Sequence, residues 1–154
     1  MYYYKLLKLN EHGELLSPIS SDRGNMCVWK VGEWKRTDSD FFYASETIVD
    51  ALRSVCIQRF SIIALVEFRD HDPRGTKLFT EIIGKEMRVV KAYHWPEYLN
   101  EIILKNLSTI KNGYLVRIQL PNYFFGRLSA EEKDQWEEFF TEEMKKFIPY
   151  KNEP

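Results

Sequence analysis

The chain has no surplus of either charge: 22 lysines and arginines stand against 23 aspartates and glutamates, for a formal net charge of −1. Without a global field, attraction to nucleic acid or to an anionic membrane would have to come from a local patch. Cysteine is scarce. Cys27 and Cys56 form no CxxC pair and no zinc signature, and both read as small buried hydrophobes of a reducing compartment. The longest apolar run, residues 62–66, is too short to span a bilayer, so no membrane association is expected. The opening Met1-Tyr2-Tyr3-Tyr4-Lys5 lacks the basic and then apolar organisation of a secretory leader. The expected location is cytoplasmic, meaning the host cytoplasm if the source is viral. There is no G-x-S-x-G, no phosphate-binding loop and no histidine close in sequence to either cysteine, which leaves nucleophilic catalysis unsupported. Repeats and low-complexity linkers are also missing. No cofactor and no metal is expected.

What is present fits one domain over residues 1–154. A chain of this length buries roughly 70% of its unfolded surface and needs no staple to fold. The composition is 44% hydrophobic and 29% charged, which excludes wholesale disorder. Aromatic residues reach 15%, enough for a ring-rich core, or for an aromatic pocket or interface.

Strand patterning runs over residues 2–9, 14–16, 26–31, 34–36 and 41–44, with turns at Asn10–Gly13 and Thr37–Asp40 and a bend at Gly32. Ser45 is placed to cap a helix over about 46–57, whose Ile48, Val49, Leu52, Val55 and Cys56 share one face. Residues 61–68, SIIALVEF, read as a central strand covered on both sides. After a turn at 70–75, residues 76–83 and 86–93 read as an antiparallel pair. Pro96 suits the first turn of a helix over about 96–111, and Tyr114–Leu120 reads as a further strand. Ser129-Ala130-Glu131-Glu132 is a capping box opening a helix over about 130–147, with Trp136, Phe139, Phe140, Met144 and Phe147 on one face. The fold class expected is α+β: a mostly antiparallel sheet with about three helices packed on it.

Tyr4-Lys5, Lys30-Val31-Gly32-Glu33-Trp34, Tyr43-Ala44-Ser45-Glu46, Asp50-Ala51-Leu52, Val66-Glu67, Lys77-x-x-Thr80 and Arg88-Val89-Val90 follow one another in an ordered series. In order and spacing, residues 2–93 resemble a family of uncharacterised small domains known from phage and bacterial genomes. The resemblance implies a family-like core with residues 94–148 as a helix-strand-helix extension, and a phage or viral accessory role. The family carries no established activity. Where its members tend to have glycine and histidine, this chain has Phe41 and Tyr43, so chemistry needing that imidazole would be absent or altered here.

Four constellations are candidates for function. Tyr43, Ser45 and Glu67 look loosely like the nicotinamide pocket of ADP-ribosyltransferase folds, where a glutamate stabilises developing charge; this requires the strand of Glu67 to neighbour that of Tyr43. The bland alternative is a cap, a core ring and a solvent-facing carboxylate. Asp70-His71-Asp72 could hold a divalent ion only in a tight turn, and a solvated turn is the simpler reading. Trp29, Lys30, Trp34, Lys35 and Arg36 mix rings and cations as single-stranded nucleic-acid binders do, extended by Lys85, Arg88 and Lys91, although a strand alternates faces and core burial is the competing account. Tyr123, Phe124 and Phe125 place three rings in one loop, as a contact site or a buried plug. The reading favoured is a non-enzymatic interaction protein with a protein partner, contacting it through Tyr123, Phe124, Phe125, Trp29 and Trp34. The alternatives are a divergent ADP-ribosyltransferase-like enzyme using Tyr43, Ser45 and Glu67, and a weak single-stranded nucleic-acid binder.

Overall fold

The structure, a computed structural model, describes residues 1–17, 28–38, 41–53, 59–69, 77–78, 81–107, 125 and 128–151. The strands are β1 (Tyr3–Leu9), β2 (Leu15–Leu16), β3 (Val28–Trp29), β4 (Trp34–Arg36), β5 (Phe42–Ser45), β6 (Ile62–Phe68), β7 (Lys77–Leu78), β8 (Glu81–Gly84) and β9 (Glu86–His94). The helices are α1 (Ile48–Arg53), α2 (Glu97–Leu107) and α3 (Ala130–Met144). The fold is α+β. The strands join one antiparallel sheet in the order β4-β9-β6-β1-β5-β8-β7, with β2 and β3 continuing from the far end of β1.

Side-chain alternation in β1 divides the core in two. Tyr3 and Leu7 point to one face, where they pack with Ile62, Ala64, Val66, Met87, Val89, Phe42 and Ile82. Leu15 and Trp29, from the β2–β3 hairpin, close over this cluster, and Trp29 meets the Phe42 ring edge-on at 5.0 Å. Leu6 points to the opposite face, where Ile63 and the three helices form a second cluster around Leu52, Trp95, Leu99, Ile103 and Phe140. Each fully buried aliphatic or aromatic side chain here contributes about 1.5–3 kcal/mol relative to exposure.

Only Lys85 separates β8 from β9, yet β8 pairs with β5 while β9 pairs with β6, on either side of β1. The sheet therefore curls until one kinked segment joins both ends of the β6-β1-β5 run. Gly84 sits at the kink. A Cβ built there would lie 2.5 Å from Cδ1 of Phe68, so the ring of β6 occupies the space that glycine leaves open.

Several sequence-based boundaries shift. Ser45 does not cap α1: it is buried as the last residue of β5, opposite both Tyr4 and Glu81. Its backbone belongs to the sheet ladder, so the helix opens two residues later, where the Thr47 hydroxyl accepts the Asp50 amide at 3.0 Å. Pro96 precedes α2, its carbonyl accepting the Leu99 amide. The capping box of α3 is complete, with Ser129 and Glu132 each bonding the other's backbone amide. That helix ends at Met144, and residues beyond it run back along β9: the Ile148 carbonyl accepts from His94, and the Tyr150 amide donates to Ala92. The expected strand at 114–120, both cysteines and the Asp70–Asp72 turn lie outside the described residues. Among the described residues, no helix is long and apolar enough to cross a membrane.

Candidate functional site

The Tyr43, Ser45 and Glu67 arrangement is not assembled. β1 separates β5 from β6 in the sheet. Tyr43 lies opposite the level of Leu6 on β1, and Glu67 one residue beyond the Val66–Tyr3 pair. Following the sheet, Glu67 is displaced from Tyr43 by about 10 Å across the strands and about 13 Å along them. Catalytic groups must meet a common substrate at hydrogen-bond range, and these do not. Glu67 is instead ion-paired with Arg88, its cross-strand partner. Ser45 is buried, and the Tyr43 carbonyl accepts from Lys5 Nζ at 2.8 Å.

The two tryptophans of the basic-aromatic mixture face apart. Trp29 is 1% exposed, in the cluster inside the curl. Trp34 projects from β4 beside Arg88 on the other face, with the Arg69 guanidinium 4.0 Å and the Arg88 guanidinium 4.9 Å from its ring centre. The cations there are matched by acids: Arg36 with Asp38 and Glu86, Arg69 with Glu86, Arg88 with Glu67, and Lys35 with Glu33. Around Trp34 the cations are therefore neutralised by carboxylates, which gives a phosphate backbone no excess of positive charge there.

Of the aromatic loop, Tyr123 and Phe124 lie outside the described residues. Phe125 is 2% exposed and sits edge-on to Trp136 at 5.8 Å and to Phe140 at 6.1 Å. Its role is to back a ring cluster. Trp136 stacks on Phe140 at 5.5 Å and meets Phe139 edge-on at 5.9 Å, while Phe140 continues to Trp95 and Phe147 meets Trp95 edge-on.

On this cluster lies a groove of about 290 Å³, lined by Ile102 and Asn106 of α2 and by Gln135, Trp136 and Phe139 of α3. The two helices run antiparallel. At one end the Tyr98 hydroxyl donates to Glu143 at 2.5 Å, joining the start of α2 to the end of α3; the groove lies farther along, between Ile102 and Asn106 on one side and Gln135 to Phe139 on the other. That hydrogen bond to Glu143, followed by burial, raises the Tyr98 hydroxyl pKa.

The other side of α3 is clamped to α1. The Glu137 carboxylate accepts the backbone amides of Ile48 and Val49, both at 2.9 Å, and so satisfies the first turn of α1. Lys133 Nζ lies 2.7 Å from Asp50, and Arg53 is 3.7 Å from the same carboxylate oxygen. Burial pushes the Glu137 carboxyl above the usual carboxylate range; the two amides and Lys133 oppose that shift, and Asp50 adds to it. With α3 held on one side by this clamp and on the other by Tyr98, the groove walls are pre-organised.

Among the described residues, the side chains that line the groove include no acid, no base and no nucleophile. Their chemistry is apolar contact from Ile102, Trp136 and Phe139, with two neutral amides for hydrogen bonding. Sequence reasoning placed Trp136 and Phe139 on one face of the helix together with Phe140, Met144 and Phe147. Phe139 sits at the edge of that face and Trp136 near its middle, yet both are only half-buried, so helical position alone does not separate Trp136 from Phe140. Among the described residues, no group of three or more histidine, cysteine, aspartate or glutamate side chains could hold a metal ion. Comparison with family models, with curated proteins and with solved structures finds no match.

Proposed function

We propose that this protein is a non-enzymatic interaction protein, and that the α2–α3 groove receives an apolar segment of a protein partner. The observation that carries this is the groove itself: an indole and a phenyl ring held half-buried over a packed ring cluster, between two anchored helices. Rings fixed by their neighbours give large contact area at little entropic cost on binding, which is the usual character of an interface anchor. Helix-lined apolar grooves with polar edges take amphipathic segments in this way.

The test is selection of short random peptides displayed on particles, with counter-selection on Asn106→Trp. Asn106 is exposed on α2, so the new ring fills the groove without changing charge. Peptides retained by the wild type and lost on the variant are the expected result. A library in which no peptide distinguishes the two proteins would overturn the proposal.

A further inference from the structure

The groove has charged banks. Along α3, Glu131, Gln135, Glu138 and Glu142 follow one another at three- and four-residue spacing and are all exposed, so they form one row beside the lining residues Gln135 and Phe139. Along α2, Glu97, Glu101 and Lys105 form the corresponding exposed row. Glu142 has an ion-pair partner in Lys145. Glu131, Glu138, Glu97 and Glu101 have none among the described residues. The single lysine within α3, Lys133, is directed to Asp50 on the clamped side. Like charges three and four residues apart repel, and α3 carries this row with no internal compensation for Glu131 and Glu138.

We infer that the occupant of the groove is a basic amphipathic segment of a protein partner, with apolar side chains seated on Ile102, Trp136 and Phe139 and lysines or arginines over the acidic row of α3 and the Glu97–Glu101 end of α2. This rests on the binding reading above and names the partner's chemistry. The same banks disfavour the other occupants. A nucleic-acid strand or an anionic membrane would face carboxylates. A second copy of this chain, docking by two-fold symmetry, would set this glutamate-rich surface against the same surface. Apolar anchors supply affinity, and the banks supply selectivity and a faster encounter.

Three synthetic amphipathic peptides separate the terms: one apolar face throughout, with lysine, glutamine or glutamate on the polar face. Each is titrated against the wild type, with tryptophan fluorescence and calorimetry as readouts, at low and at high salt. The lysine peptide is expected to bind about tenfold or more tightly than the glutamine peptide, with the advantage shrinking as salt screens exposed charges. The preference is expected to disappear in Glu131→Gln/Glu138→Gln, two exposed substitutions that leave the groove lining intact, and all binding is expected to fall in Asn106→Trp. Equal groove-dependent binding of the lysine and glutamine peptides overturns the basic-partner inference while the groove reading stands. A lysine preference that survives Asn106→Trp also overturns it, because the attraction is then general to an acidic helix. If the protein self-associates and Asn106→Trp abolishes the dimer, a second copy is the occupant and the inference fails. If no peptide of either experiment depends on the groove, both readings fail together.

Discussion

Gly84 shows how a single missing side chain sets the curvature of the sheet. It lies where β8 gives way to β9, and the space its Cβ would fill is taken by the Phe68 ring. Gly84→Ala is expected to destabilise by about 1–3 kcal/mol, the usual cost of overpacking. Urea denaturation of a double-mutant cycle with Phe68→Leu checks the cause: the alanine should cost clearly less when the ring is gone. Equal cost in both backgrounds would show that the ring is not what excludes the methyl. The sequence marks Gly84 as a break between two strands, which it is, but a break alone does not reveal which distant ring fills it. Trp29 and Trp34 teach the same lesson. Strand alternation sets Trp29 apart from its neighbour Lys30, but only the cross-strand partners show that the Trp29 ring enters the interior while Trp34 lies among paired arginines.

At the scale of elements, what depends on neighbours along the chain is legible, and what depends on distant partners is not. The capping box at Ser129 is complete as read, because both of its hydrogen bonds close within one turn. The start of α1 is misread at Ser45 because the sheet recruits that residue and the remaining amides are satisfied by Glu137, far along the chain. Glu137 also gives α3 a pH dependence. Its folded pKa is raised above the ordinary carboxylate value of 4.5, so the folded state holds that proton more firmly than the unfolded state. The associated stability is present below the unfolded pKa and is lost as pH rises through the folded one. Relative to Glu137→Gln, the wild type should therefore lose unfolding free energy as pH is raised from about 4.5 toward neutrality, where the carboxylate is ionised and partly buried. Denaturation of both proteins across that range measures this. The surrounding Asp50, Lys133 and Tyr4 are common to both and largely cancel. A difference that stays constant with pH, or that grows in the wild type's favour, would contradict the assignment.

For the molecule as a whole, the α+β class, the antiparallel pairing and the three helices follow from period and turn chemistry, since each described element carries its own local signal. Three features do not follow: the strand order that places β1 between β5 and β6, the curl through Gly84, and the antiparallel seat of α2 against α3. The expected meeting of Tyr43 with Glu67 fails at this level, on strand order and register together, and the groove emerges at this level, from two helices distant in sequence. The Glu137 clamp has one more consequence, on the time axis. The amides of Ile48 and Val49 stand at the very start of a helix, where protons ordinarily exchange with solvent through local fraying. Here a carboxylate from the last helix holds them, so they are released only when α3 lifts away. Their hydrogen-exchange rates should match those of amides inside α3 near Phe140 rather than those of a frayed end, and rapid exchange at both would show that the clamp does not persist in solution. Two backbone protons in the first helix thus act as a clock for the undocking of the last.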